Sequence, residues 1–144
     1  DREAGFCSGI KISGLILFAQ ALGDFSTDIA KDVTREMFAG SSRPDAVFVA
    51  TDHMAFAVMD VLRSELGLSI PADVSIVGYD DVPPSSWAGY NLTTLRQRAN
   101  LMVEQTVRLM IDKICEPGVA PRHLKINSPL IVRGSAKIPE GWST

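Results

Sequence analysis

Asp80 and Asp81 follow the apolar run Val74-Ser75-Ile76-Val77-Gly78-Tyr79 and are the residues best placed to do chemistry. A carboxylate fixed at a strand end accepts hydrogen bonds from two neighbouring hydroxyls of a polyol, and charged acceptors make the stronger bonds. Asp80 reads as such an anchor, with a loop cap as the competing role, and Asp81 as the structural member of the pair. Adjacent side chains diverge, which argues against a shared acid–base dyad. Thr51-Asp52-His53 closes a second apolar run and opens a helix, so Asp52 reads as an N-cap and His53 as a solvated helix-start residue. Phe25, in Gly23-Asp24-Phe25-Ser26, either stacks on a sugar ring or fills core. Nucleophilic hydrolysis needs a serine or cysteine held by a histidine, yet His53 and His123 stand in a helix start and a late polar segment. Neither glycine-rich phosphate cradle occurs. Cys7 and Cys115 share no local spacing with the histidines that would build a zinc site, and both read as buried reduced thiols. A binding protein without metal or cofactor is expected, not an enzyme.

The elements that must position these residues alternate between helix and strand. The stretch through Ile12 reads as a helix closed by Gly14, and Ile16 to Gln20 as a short extended segment. Ser26 is a suitable N-cap, Asp28 favours the positive helix end, and Ile29, Val33 and Met37 recur every fourth residue before Gly40. Asp45 to Ala50 and Val74 to Tyr79 are β-branched, apolar runs of the kind buried on both faces. Between them lies a helix with Ala55, Val58, Met59, Leu62 and Leu66 on one face. Strand, helix, strand with right-handed crossover gives parallel strands and the α/β class. An extended piece at Leu92 to Leu95 precedes a helix from about Arg98 to Ile114, striped by Val103, Val107, Met110 and Ile114; His123 to Ile126 and Pro129 to Arg133 read as final strands. Ligands of open parallel sheets bind beyond the carboxyl ends of the strands, which selects Gly23 to Ser26, Thr51 to His53 and Asp80-Asp81.

A chain of 144 residues suits one domain. With 46% hydrophobic and 22% charged residues, and no apolar run long enough to span a bilayer, it reads as globular with no membrane contact. A net charge of -3 and a pI near 5.3 are wrong for a surface that neutralises phosphates, so DNA binding by this segment alone is not expected. The opening Asp1 to Phe6 carries neither the apolar region nor the cleavage site of a secretory signal, and a cytoplasmic location is expected.

Five segments in order carry a family resemblance: Arg2-Glu3-Ala4-Gly5-Phe6, Pro44 to Ala55 (PDAVFVATDHMA), Ile70 to Asp81 (IPADVSIVGYDD), Leu92 to Gln97 (LTTLRQ) and Leu130 to Ser135 (LIVRGS). Together they resemble the lactose-repressor family of bacterial transcription regulators over nearly the whole chain. The resemblance implies a periplasmic-binding-protein-like lobe, doubly wound in three layers and incomplete. Residues 1–144 would be the C-terminal portion of an effector-sensing domain, with about 97–120 crossing toward an N-terminal lobe that, like the DNA-binding head, lies outside this chain. The stripe on the helix after Arg98 would then lack its usual partner. The implied effector residues are Arg2, Phe25, Asp80 and Gln97, with Thr51 standing where the family commonly has asparagine and so short of one donor. The implied partners are a small-molecule effector, a sugar or derivative ahead of a purine; a second copy in a homodimer through Phe56; and operator DNA only through the separate helix-turn-helix head. The same fold serves exported sugar-binding proteins of transport, which is the alternative reading.

Overall fold

The computed structural model describes residues 2–116, 118 and 120–140. In chain order its elements are α1 (Arg2–Ile12), α2 (Thr27–Phe38), β1 (Ala46–Phe48), α3 (Asp52–Asp60) running into a π-helical turn (Val61–Glu65), β2 (Ser75–Asp80), a 3-10 turn (Pro83–Ser86), β3 (Thr93–Arg96), α4 (Ala99–Cys115) and β4 (Leu130–Ile131). The sheet order is β1-β2-β3-β4, with β1, β2 and β3 parallel and β4 antiparallel to β3. Parallel neighbours need a long crossover, and α3 supplies it between β1 and β2.

Side chains alternate along a strand, so Ile76 and Gly78 share one face of β2 while Val77 and Tyr79 share the other. The first face meets α3: Ile76 is fully buried, and Gly78 abuts Asp52 at the start of that helix. The second face meets α1. Phe6 stacks on Phe48, the register partner of Val77, with ring centroids 4.8 Å apart, and Arg2 lies over the Tyr79 ring. Helices on both faces make three layers, as the α/β expectation requires, although β4 turns the sheet from parallel to mixed.

Local chemistry explains why these elements form. Ser26 Oγ accepts the Ile29 N–H at 3.4 Å and caps α2. At the other end of α1, Gly14 takes φ +66°, and Leu15 N–H to Ile10 and Gly14 N–H to Lys11 satisfy the last carbonyls. The core lies between α2, α3 and the sheet, where Phe38, Ala55, Met59, Leu62, Ile76 and Leu92 are buried. Each large apolar side chain there contributes roughly 1.5–3 kcal/mol over leaving it in water.

Four expectations need correction. β1 is not buried on both faces: Ala46 is exposed and Val47 and Phe48 half-buried, because among the described residues β1 is an edge strand with only β2 beside it. In β2 the alternate residues Ser75 and Val77 are half-buried too. The expected strand at His123 to Ile126 does not form, and the later one shortens to Leu130–Ile131, where β3 offers a partner. Cys7 is half-buried and Cys115 exposed, both unpaired by disulfide. The stripe of α4, by contrast, stands free as expected: α4 buries none of its residues, and Val103 and Ile114 are 63% and 74% exposed.

Candidate functional site

At the carboxyl end of β2 the chain enters the left-handed region twice, with φ 132° at Asp80 and 60° at Asp81. Non-glycine residues hold such angles at a cost of about 1–3 kcal/mol each, so surrounding contacts must fix them. For Asp80 the contacts are Arg2, whose Nη2 lies 3.0 Å from Oδ1, and Gln97, whose Nε2 donates to the same oxygen while its N–H donates to the Asp80 carbonyl at 3.3 Å. The other end of the Arg2 guanidinium donates to the Ala50 carbonyl beyond β1. Three candidates from the sequence, Arg2, Asp80 and Gln97, thus meet across α1, β2 and the exit of β3. The cluster is partly open: the side chains of Arg2 and Asp80 are 30% and 19% exposed.

Thr51 stands beside Ala50 and is the N-cap of α3, its Oγ1 accepting the Met54 N–H at 3.4 Å. Phe25 is 79% exposed and so fills no core among the described residues. It too sits at positive φ, 52°. Its loop is held near the start of α3, since a Cβ on Gly23 would fall 2.6 Å from the Met54 sulfur.

Asp52 corrects the sequence reading. It is the first residue of α3, not its cap, and its carboxylate is fully buried beneath the sheet end. Oδ1 accepts the Thr94 hydroxyl at 2.6 Å, and Oδ2 accepts the Ser85 hydroxyl at 2.6 Å and the Val82 N–H at 3.0 Å. One carboxylate therefore ties α3 to β3 and to the loop that follows Asp81. These partners lie 30 to 42 residues away, beyond the reach of any local motif.

Asp81 is structural. Arg96 Nε and Arg133 Nη2 grip it at 2.5 and 2.7 Å, and Arg133 also donates to the Leu92 carbonyl at 2.8 Å. Burial pushes its carboxyl up, but the hydrogen bonds and charges of the two arginines outweigh burial and hold it below the usual carboxylate range. A folded pKa below the unfolded one stabilises the fold fully above the unfolded value, near about 3.9, and the contribution is lost as pH falls through the folded value. Thermal melts of parent and Asp81→Asn protein are therefore expected to differ by a constant amount from about pH 7 to pH 5 and to converge below about pH 4. A difference that stays constant to the lowest pH at which both fold would refute the ion pairing.

The family profile described as periplasmic binding protein-like domain matches residues 2–136. The chain belongs to that family. The HTH-type transcriptional regulator CelR of Thermobifida fusca is 34% identical over 134 residues, which cover 93% of this chain and 38% of that protein. The ribose operon repressor of Escherichia coli strain K12 is 31% identical over 137 residues, 94% of this chain and 41% of the repressor. Among solved structures, the Lac repressor bound to ONPG superposes with a TM-score of 0.85 at 30% identity, over 94% of this chain and 40% of that one. The resemblance to the lactose-repressor family thus holds in sequence and in fold. The chain spans about two fifths of the length of these relatives.

Two further features of this periplasmic binding protein-like domain were not legible beforehand. Tyr79 lies under Arg2 and Ser85 donates to Asp52, and although Tyr79 stands within a quoted motif, nothing there marks these contacts. Phe56 is 8% exposed and already packed on Tyr90, with centroids 4.3 Å apart, so its ring is an internal contact before it can be an anchor for a second copy. Among the described residues no buried side-chain nitrogen or oxygen lacks a partner, no group of three or more His, Cys, Asp or Glu is placed to hold a metal, and no helix is long and apolar enough to cross a membrane.

Proposed function

We propose that this domain senses a small effector, a sugar or sugar derivative, for a transcription regulator whose operator contacts belong to a separate helix-turn-helix head. The Arg2–Asp80–Gln97 cluster carries the reading. A sugar ring offers hydroxyls that both donate and accept, and the cluster presents a carboxylate that accepts and a guanidinium and an amide that donate, half-open at the carboxyl end of a parallel sheet. Phe25 supplies an exposed apolar face on the neighbouring loop, and Thr51 a hydroxyl at the start of α3. By this reading the residues from Gln97 onward lead toward a second lobe that would close over the effector, and the exposed stripe of α4 would pack against it.

The relatives support the regulator over the transport protein. CelR is known in a complex with cellobiose, with a TM-score of 0.82 to this chain, and the Lac repressor as a dimer bound to operator. By the same reading the intact protein is a cytoplasmic homodimer that uses the helix carrying Phe56, and it is not an enzyme. The net charge of -3 fits DNA contacts made elsewhere in the molecule.

Calorimetry on the full-length protein against cellobiose, ribose, ONPG, glucose and galactose, with purine bases as the contrasting class, tests the proposal. Saturable binding of one of the sugars is expected, with a change in operator affinity of about 5- to 150-fold when it is present, read by fluorescence anisotropy. Purine binding without sugar binding would overturn the effector class. A bound sugar that leaves DNA affinity unchanged would overturn the sensing role.

A further inference from the structure

Arg2 is a long side chain on the first turn of a helix, and its two contacts with polar partners account for its N–H groups but not for what covers the guanidinium carbon. Tyr79 does. Its ring lies on the α1 face of β2, two residues beyond the register partner of Phe48, and the Arg2 guanidinium carbon sits 4.0 Å from its centroid. Helix α1 therefore rests on this face through two ring contacts, Phe6 on Phe48 and Arg2 on Tyr79. The Tyr79 hydroxyl meets Ser128 Oγ at 3.3 Å, which pins the ring to the segment entering β4.

We infer that Tyr79 is a positioning residue of the effector site, its ring holding the Arg2 guanidinium in the place from which it serves Asp80 and the effector. When an effector hydroxyl takes the place of Arg2 at Asp80, the guanidinium loses its ion pair; the ring face is the contact that keeps it in the cleft with its N–H groups turned to the ligand. A guanidinium over a ring is weakly hydrated and can give up water to the ligand at small cost. The Tyr79 hydroxyl acts on Arg2 only indirectly, by steadying the ring through Ser128, and the ring itself makes the contact.

The affinity arm of the test rests on the sugar-sensing proposal, so a second arm is independent of it. In the full-length protein, Tyr79→Phe keeps the ring and is expected to bind the tightest sugar of the same panel within about twofold of wild type. Trifluorophenylalanine at position 79 keeps shape and burial but drains the ring face, and is expected to lower affinity by about threefold to tenfold. In an Arg2→Ala background the same fluorination should have no effect, a non-additivity that simple packing would not produce. Equal affinity of the phenylalanine and trifluorophenylalanine proteins overturns the inference. If wild type binds no sugar at all, the functional proposal falls, and NMR of arginine-labelled protein still decides this one: upfield-shifted Arg2 side-chain protons in wild type and Tyr79→Phe support it, and unshifted ones overturn it.

Discussion

Asp80→Asn in the full-length protein is expected to weaken effector binding by roughly tenfold to a hundredfold, the cost of losing one charge-assisted partner in a closed cleft. Asparagine keeps the size of the side chain and one carbonyl acceptor, so Gln97 retains a partner, but the charge that Arg2 and effector hydroxyls compete for is gone. The backbone should tolerate the change. Asparagine accepts positive φ about as readily as aspartate, so the angle of 132° adds no new strain. The Arg2 and Asp80 side chains are 30% and 19% exposed and Gln97 keeps its acceptor in asparagine, so loss of the ion pair is expected to cost the free protein about 1 kcal/mol. Calorimetry should therefore show lost affinity while the melting temperature of the free protein stays within a few degrees. Unchanged affinity, or a free protein that no longer folds, would make Asp80 a structural cap and move the effector site elsewhere.

The opposite pattern is expected at Asp52. Its carboxylate is fully buried, and Asp52→Ala would leave the Thr94 hydroxyl, the Ser85 hydroxyl and the Val82 N–H without their acceptor beneath the sheet. Hydrogen bonds to a charged group contribute about 1.5–3 kcal/mol each, and bonds to one acceptor do not add in full, so a loss of about 3–5 kcal/mol is expected in denaturant unfolding. That is a large part of the stability of an ordinary domain. Asp52→Asn should fall between the two, since it retains one acceptor oxygen. A loss under about 1 kcal/mol for Asp52→Ala would show that water or a shifted loop replaces the carboxylate.

Features written in neighbouring residues were legible in the sequence. The Ser26 cap, the Gly14 stop and the strand–helix–strand order around α3 each depend on a few adjacent side chains, and each formed. Among the candidate site residues, position after a strand pointed to Asp80 and family motifs to Arg2 and Gln97, and the fold brings these three together. Features that depend on distant partners were not legible. β1 shares its apolar run with strands that are covered on both sides, but coverage depends on what lies beside it, and among the described residues only β2 does. Asp52 follows a strand just as a cap would, and only the fold brings Ser85 and Thr94 to it. His123 to Ile126 alternates like a strand, yet it pairs with none of the four strands of the sheet, and alternation alone supplies no partner.

Gly78 lies directly under Asp52: a Cβ there would collide with Asp52 Oδ1 and come within 2.9 Å of Leu92 Cδ2. The two positions consequently share a single volume, and a lineage that keeps this carboxylate cannot place any side chain at Gly78. Removing the carboxylate first opens the space but unfastens three segments, and enlarging Gly78 first drives a methyl into a buried charge. Divergent descent from this sequence must therefore cross a fitness valley at the pair, or keep both residues and vary around them.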